Sequence, residues 1–236
     1  MVRVTFAGDD LQGLTVEHPA ASVRLLFPPP GEREPVIPSW NGNEFLFPDG
    51  RRPPIRTFTP RRVDPEALEL DVEIVVHGGG AASQWAGAAA TGDRAAVSGP
   101  GRGYAIDRQA PAFLLAGDET AMPAISQMLE VMPQETPVQV YIEVARPEAR
   151  IELPGPGGTT VEWCDLPPEA APGDALVEAV RGAPLASGTR VWVAGEAAAV
   201  QRIRRHLFEE RGLPRARASV RGYWKHGRAG DSDDDA

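Results

Sequence analysis

Lysine is almost missing from this chain: of 24 cationic residues among 236, only Lys225 is a lysine. Cysteine occurs once, at Cys164. That excludes an intrachain disulfide and a cysteine-rich metal site, and leaves a buried or half-buried thiol as the expectation. No run of about 18 apolar residues occurs, so no membrane-spanning helix is expected. The opening Met1-Val2-Arg3-Val4 leads into alternation instead of a signal-peptide core, which points to a cytoplasmic protein. A basic excess is lacking too. With 33 acids the net charge is -9, which argues against a nucleic-acid scaffold but not against a small anionic ligand met by local arginines. What is plentiful is Gly (25) and Pro (24), beside a hydrophobic fraction of 42%. That composition suits a loop-rich β or α/β protein with a real core, in one large domain or two small ones. The preference for Arg over Lys also fits a GC-rich coding bias, so by itself it carries no functional signal.

The first half reads as strands. Val2, Val4 and Phe6 alternate with polar residues up to the turn Gly8-Asp9-Asp10. Val23 to Phe27 is a short apolar run stopped by prolines. Residues 55–62 alternate again, with Arg56 and Phe58 on one face. Leu68, Leu70, Val72, Ile74 and Val76 form the cleanest period-2 pattern, with Glu69, Asp71 and Glu73 expected to face out. Residues 94–98 are a further strand, and residues 82–90 a short helix. Several short strands at close spacing predict a small antiparallel barrel or sandwich.

The second half changes rhythm. Ala112 to Gly117 is a continuous apolar run of the buried parallel type, Val138 to Val144 is the next strand, and Val191 to Gly195 is another buried strand. Between and after them, helical spacing appears at Ile125, Met128, Leu129 and Met132, over residues 174–181, and at Val200, Ile203 and Leu207, with Gly212 and Pro214 as stop signals. Alternating strand and helix predicts a parallel sheet with right-handed crossovers. The expected division is an all-β domain over residues 1–108, an α/β domain over 109–228, and a disordered acidic tail over 229–236 holding Asp231, Asp233, Asp234 and Asp235.

Four segments carry candidate chemistry. In Arg56-Thr57-Phe58-Thr59 a cation and an aromatic ring share a face, as a flavin phosphate and a flat isoalloxazine would ask; an ordinary surface arginine beside a core phenylalanine is the plainer reading. In His77-Gly78-Gly79-Gly80-Ala81-Ala82-Ser83-Gln84-Trp85 a strand gives way to a helix, whose free amides can hold a pyrophosphate; a flexible glycine-rich turn is the alternative. Gly117-Asp118-Glu119-Thr120-Ala121-Met122-Pro123 occupies the strand-loop-helix position of a nucleotide site. Thr120 is expected as the cap, and the acidic pair is awkward for a phosphate. Arg51, Arg52, Arg102 and Lys225 are loop cations that would suit an anionic ligand if they converge.

Taken in order, several segments resemble the siderophore-interacting proteins, FAD-dependent ferric-siderophore reductases distantly related to ferredoxin-NADP reductase. They are Val2 to Asp9, Arg56 to Thr59, His77 to Trp85, Ser98-Gly99-Pro100-Gly101, Gly117 to Ile125, and Trp192 to Glu196 with Gly222-Tyr223-Trp224-Lys225. The resemblance implies an antiparallel FAD barrel followed by an NAD(P)H-binding α/β domain. It implies FAD held by Arg56, Thr57, Phe58 and Thr59 and by His77, Gly80, Ala81, Ala82, Ser83 and Trp85. Asp118, Glu119, Thr120 and Ala121 would border the nicotinamide of NADPH or NADH, and Arg51, Arg52, Arg102 and Lys225 would gather an anionic ferric siderophore. It implies no metal site and no general acid or base. Phe58 stands where the family has a tyrosine, losing one hydroxyl bond to FAD, worth about 1 kcal/mol. Ala81 replaces a proline. Relatives carry a further strand before the Val2 segment, so the sheet edge there is expected to be open. A ferredoxin-fed reductase and a flavin-poor siderophore-binding protein are the alternative expectations.

Overall fold

The computed structural model describes residues 1–29 and 31–227, so the expected acidic tail lies outside the described residues. The chain divides into two compact units. The first takes residues 1–17 and 21–103, the second residues 18–20 and 104–227. The excursion at 18–20 has a local cause. Tyr104 N–H donates to the Pro19 carbonyl (2.7 Å) and Ala20 N–H to Gln127 Oε1 (3.0 Å), tying that stretch to the second unit.

The first unit is built from short antiparallel strands. These are β1 (Val2–Ala7), β2 (Val23–Leu26), β3 (Ser39–Trp40), β4 (Phe45–Leu46), β5 (Arg56–Phe58), β6 (Pro60–Asp64), β7 (Glu69–Ile74) and β8 (Ala96–Ser98), with helix α1 (Ala81–Ala88). They form sheets ordered β1-β7-β6, β5-β2-β8 and β3-β4. Val23, Leu25, Phe27, Leu70, Val72 and Ile74 are fully buried between them. The alternating stretch at 55–62 is not one strand. It breaks at Thr59, so that β5 pairs with β2 while β6 pairs with β7. Asp71 does not face out as expected: it is buried, accepting from Thr5 Oγ1 (2.7 Å) and Arg62 Nε (3.0 Å). Among the described residues β1 is an edge strand, and an open groove of about 1270 Å³ runs between it and residues 89–97.

The second unit is a doubly wound parallel sheet. Its strands are β9 (Phe113–Asp118), β10 (Val138–Val144), β11 (Thr159–Asp165), β12 (Arg190–Glu196) and β13 (Ala218–Trp224), in the order β11-β10-β9-β12-β13. Its helices are α2 (Met122–Val131), α3 (Asp174–Gly182) and α4 (Ala197–Arg205). On β9, Phe113 and Leu115 pack toward α2, while Leu114 and Ala116 pack toward α3 and α4. A strand covered on both faces needs apolar residues at every position, which is why β9 reads as a continuous run. β11 is an edge strand with mostly exposed residues, so it left no apolar pattern to read. The last helix stops at Arg205, widens into a π turn over His206–Glu210, and ends at Gly212 with φ +64°.

Candidate functional site

In the first unit, a glycine turn delivers the chain from β7 into α1. Gly80 is the residue before the helix, at φ +87°, and no side chain caps it. The Ser83 hydroxyl is buried and stitches the turn, accepting from His77 N–H (2.7 Å) and donating to the His77 carbonyl (2.6 Å). The His77 imidazole lies over Gly80, where a Cβ would come 3.5 Å from Cε1. The first intrahelical bond runs from Gln84 N–H to the Gly80 carbonyl (3.0 Å). The amides of Ala81, Ala82 and Ser83 therefore have no intrahelical acceptor. An uncapped first turn reached through a glycine fits the pyrophosphate of a dinucleotide such as FAD.

Arg56 and Phe58 share a face of β5 and are half-buried; Thr57 is exposed and Thr59 is buried at the corner. Arg56 Nη1 donates to the Ile55 carbonyl (2.9 Å), and Phe58 packs on the barrel core. Trp85 stacks on Phe6 (5.9 Å between ring centroids) and packs at a tilt on Phe27 (4.6 Å), which places its ring with the core rather than on the Gly80 turn.

In the second unit the sheet order reverses between β9 and β12, and ligands of such sheets sit outside the strand ends at that point. Three carboxylates lie buried along this edge, at the ends of β9, β10 and β12. Asp118 accepts from Thr120 N–H (2.9 Å), Thr120 Oγ1 (2.5 Å), Glu196 N–H (2.9 Å) and Trp224 Nε1 (2.7 Å). Glu143 accepts from the amides of Gly173 (2.6 Å) and Leu176 (3.0 Å) at the start of α3. Glu196 accepts from Ala199 N–H (2.9 Å) at the start of α4 and from His226 N–H (3.1 Å). Burial pushes the Asp118 and Glu143 carboxyls above their ordinary range, although the donors around them pull the other way.

The residues Asp118 to Ala121 are thus together at the switch point, but their polar atoms are turned inward. Glu119 Oε1 accepts from Ala145 N–H (2.9 Å), and Ala121 is buried. The cap of this turn is the Asp118 carboxylate and not Thr120, which is its donor. A side chain at Gly117 would meet the Ala194 carbonyl at 2.7 Å, and one at Gly195 would meet Asp118 Oδ2 at 2.6 Å, so both glycines are forced by close packing. Glu143 was not singled out from the sequence, and Glu196 and Trp224 stood there only inside matched segments, with no role of their own. The readable signal was an acid inside the otherwise apolar β10 and another closing β12.

The four candidate cations differ. Arg51 pairs with Asp49 and Arg52 with Glu44, each at 2.6 Å. Arg102 and Lys225 are exposed and have no acidic partner among the described residues. The structure does not place Arg51 and Arg52 as uncompensated charges. Cys164 is buried, as expected, and burial pushes its thiol up to about 12. Among the described residues there is no metal-ligating cluster, and no helix is long and apolar enough to cross a membrane.

Residues 1–104 match the family model for the siderophore-interacting FAD-binding domain, and residues 110–227 that for the siderophore-interacting protein. The chain belongs to the siderophore-interacting proteins. Ferric vibriobactin reductase ViuB of Vibrio cholerae is 30% identical over 97% of this chain and 85% of its own length. The NADPH-dependent ferric-chelate reductase of Escherichia coli is 28% identical over 94% and 86%. A siderophore utilization protein from T. fusca has a crystal structure that superposes with a TM-score of 0.79 at 34% identity, covering 97% of this chain and 88% of that one. A ferredoxin NADP+ reductase from Neisseria gonorrhoeae, at 13% identity and a TM-score of 0.58, shares the fold alone. With its FAD-binding domain and ferredoxin reductase-like fold, this member of the siderophore-interacting proteins is an FAD oxidoreductase.

Proposed function

We propose that this protein uses NADPH or NADH to reduce ferric siderophores, releasing ferrous iron in the cytoplasm. The observation that carries the reading is the uncapped start of α1, held open by the His77–Ser83 stitch inside the unit that matches the FAD-binding family. When bound, FAD supplies the step from two-electron to one-electron chemistry, taking reducing equivalents from a nicotinamide and passing them singly to ferric iron. The chain's own task is binding and orientation. The amides of Ala81 to Ser83 and the Arg56 guanidinium meet the FAD phosphates, and Phe58 offers an apolar face beside them. Residues Asp118 to Ala121 border the nicotinamide, with their buried contacts keeping that edge rigid. Arg102 and Lys225, which have no acidic partner among the described residues, are each a candidate cation for the anionic chelate; Arg51 and Arg52 contribute less because Asp49 and Glu44 already offset their charge.

A second reading, electrons delivered by ferredoxin, is favoured by one observation: the helix starts along the second unit's strand ends are already filled by Glu143 and Glu196. Titrating the FAD-loaded protein anaerobically with NADPH and then NADH separates the two. Bleaching of the flavin by either, followed by ferrous iron appearing on addition of a ferric chelate, is the expected result. A flavin that stays oxidised with both nucleotides but bleaches with reduced ferredoxin overturns the nicotinamide reading.

A further inference from the structure

Lys225 is held in place from both sides. Ahead of it, Trp224 donates its indole N–H to Asp118 Oδ2 (2.7 Å); behind it, His226 N–H donates to Glu196 Oε1 (3.1 Å). Both acceptors are buried carboxylates, with Asp118 8% and Glu196 4% exposed, so the anchors belong to the rigid edge of the sheet. The β12–β13 register explains how the indole reaches Asp118. Gly195 pairs with Gly222 but Glu196 pairs with Trp224, so the strand bulges at Tyr223. A bulge re-aims the side chain that follows it, here turning Trp224 over the ends of β12 and β9. With the Trp224 indole N–H and the His226 backbone N–H held by the two carboxylates, and their rings 6.3 Å apart, Lys225 is left exposed between them.

We propose that Asp118 and Glu196 are positioning residues that fix Lys225 for capture of the anionic ferric chelate. Asp118 acts through the Trp224 indole and Glu196 through the His226 amide. This rests on the reading of Lys225 as a substrate cation. A flexible lysine on a free chain end would spend side-chain and backbone entropy on every capture; one pinned at both neighbours spends less.

The test uses the full FAD-loaded chain and the gallium(III) complex of a tris-catecholate, an anionic probe that resembles the ferric chelate but is not reduced. Its Kd is measured calorimetrically in a double-mutant cycle of Trp224→Phe and Lys225→Ala. Phenylalanine keeps an aromatic ring and removes the N–H donor together with part of the indole's surface. Lys225→Ala alone is expected to weaken binding about tenfold. Trp224→Phe is expected to weaken it about fivefold with Lys225 present and less than about twofold in the Lys225→Ala background. Asp118→Asn, a buried site that cannot touch the probe, is expected to show the same dependence on Lys225; should it not fold, the Trp224→Phe cycle decides alone. Equal weakening in both backgrounds, or no weakening by Trp224→Phe, overturns the positioning role while leaving Lys225 as a substrate cation. No effect of Lys225→Ala overturns the reading of Lys225, and the positioning role with it.

Discussion

Helix α1 in the first unit and helices α3 and α4 in the second all begin shortly after a strand ends, yet their first turns are treated in opposite ways. At α1 the amides are left uncapped behind Gly80. At α3 and α4 they are filled by Glu143 and Glu196 from within the protein. The positive end of a helix attracts any nearby anion, and a buried carboxylate supplied by the chain is such an anion. On the proposed reading the first unit keeps its helix start for a phosphate, while the second spends its own on holding the strand ends together. The difference teaches that a doubly wound topology does not by itself make a phosphate grip; what occupies the helix starts decides.

The largest effect should come from undoing the capping in the second unit. Glu143→Ala leaves the amides of Gly173 and Leu176 unpaired in a buried place. The expected loss is about 3 kcal/mol, from about 1–3 kcal/mol per orphaned buried group, read as a lower urea midpoint at unchanged slope. Loss of less than about 0.5 kcal/mol would mean that water replaces the carboxylate freely, and the contrast with α1 would fall.

The converse change adds a carboxylate where none stands. Ala81→Asp places an acid in the first turn of α1, imitating the second unit. The apoprotein should keep its melting temperature, because an acid there suits the helix dipole by a few tenths of a kcal/mol. FAD affinity should fall about tenfold, equivalent to about 1.4 kcal/mol, through repulsion of the pyrophosphate. Quenching of FAD fluorescence on titration measures it. Unchanged affinity would move the phosphate away from this helix.

A smaller gain is expected from Phe58→Tyr. The ring stays half-buried on β5, and the added hydroxyl offers one hydrogen bond to the flavin nucleotide, about 1 kcal/mol and so about fivefold in Kd. The same titration checks it; weaker FAD binding would mean that the hydroxyl is forced into the apolar core that Phe58 packs on.

Legibility in the sequence followed the same division. The apolar runs of β9, β10 and β12 were readable because strands buried on both faces leave no alternative pattern. β11 was not readable, since an exposed edge strand is written in polar residues, and neither was the two-residue hairpin β3-β4. The break at Thr59 was hidden because both halves of 55–62 keep the same alternation while changing partners. The glycine turn before α1 announced itself through Gly78, Gly79 and Gly80. The acids did not, because an acid at a strand end looks like a solvated charge until the helix start it serves is folded against it. Trp224 needed a contact 106 residues away to show its role.

The last contrast is one of sign. In the first unit, burial pushes the Asp71 carboxyl up, but the Thr5 hydroxyl and the Arg62 guanidinium outweigh it and hold it below the ordinary range. Its contribution to stability is present above that range and is lost as pH falls through the lowered value. In the second unit, burial holds Glu143 above the ordinary range. Its contribution is present below that range and is lost as pH rises through the raised value. The deficit of Asp71→Asn relative to the wild type should therefore widen as pH rises from about 3 to about 5, while that of Glu143→Gln should narrow as pH rises past about 4.5. Melting temperatures of the three proteins across this range check it. Slopes of the same sign would mean that the donors of Gly173 and Leu176 outweigh burial at Glu143. The acid would then be held as a stable carboxylate like Asp71, and the cost of filling a helix start from inside would be smaller than the geometry implies.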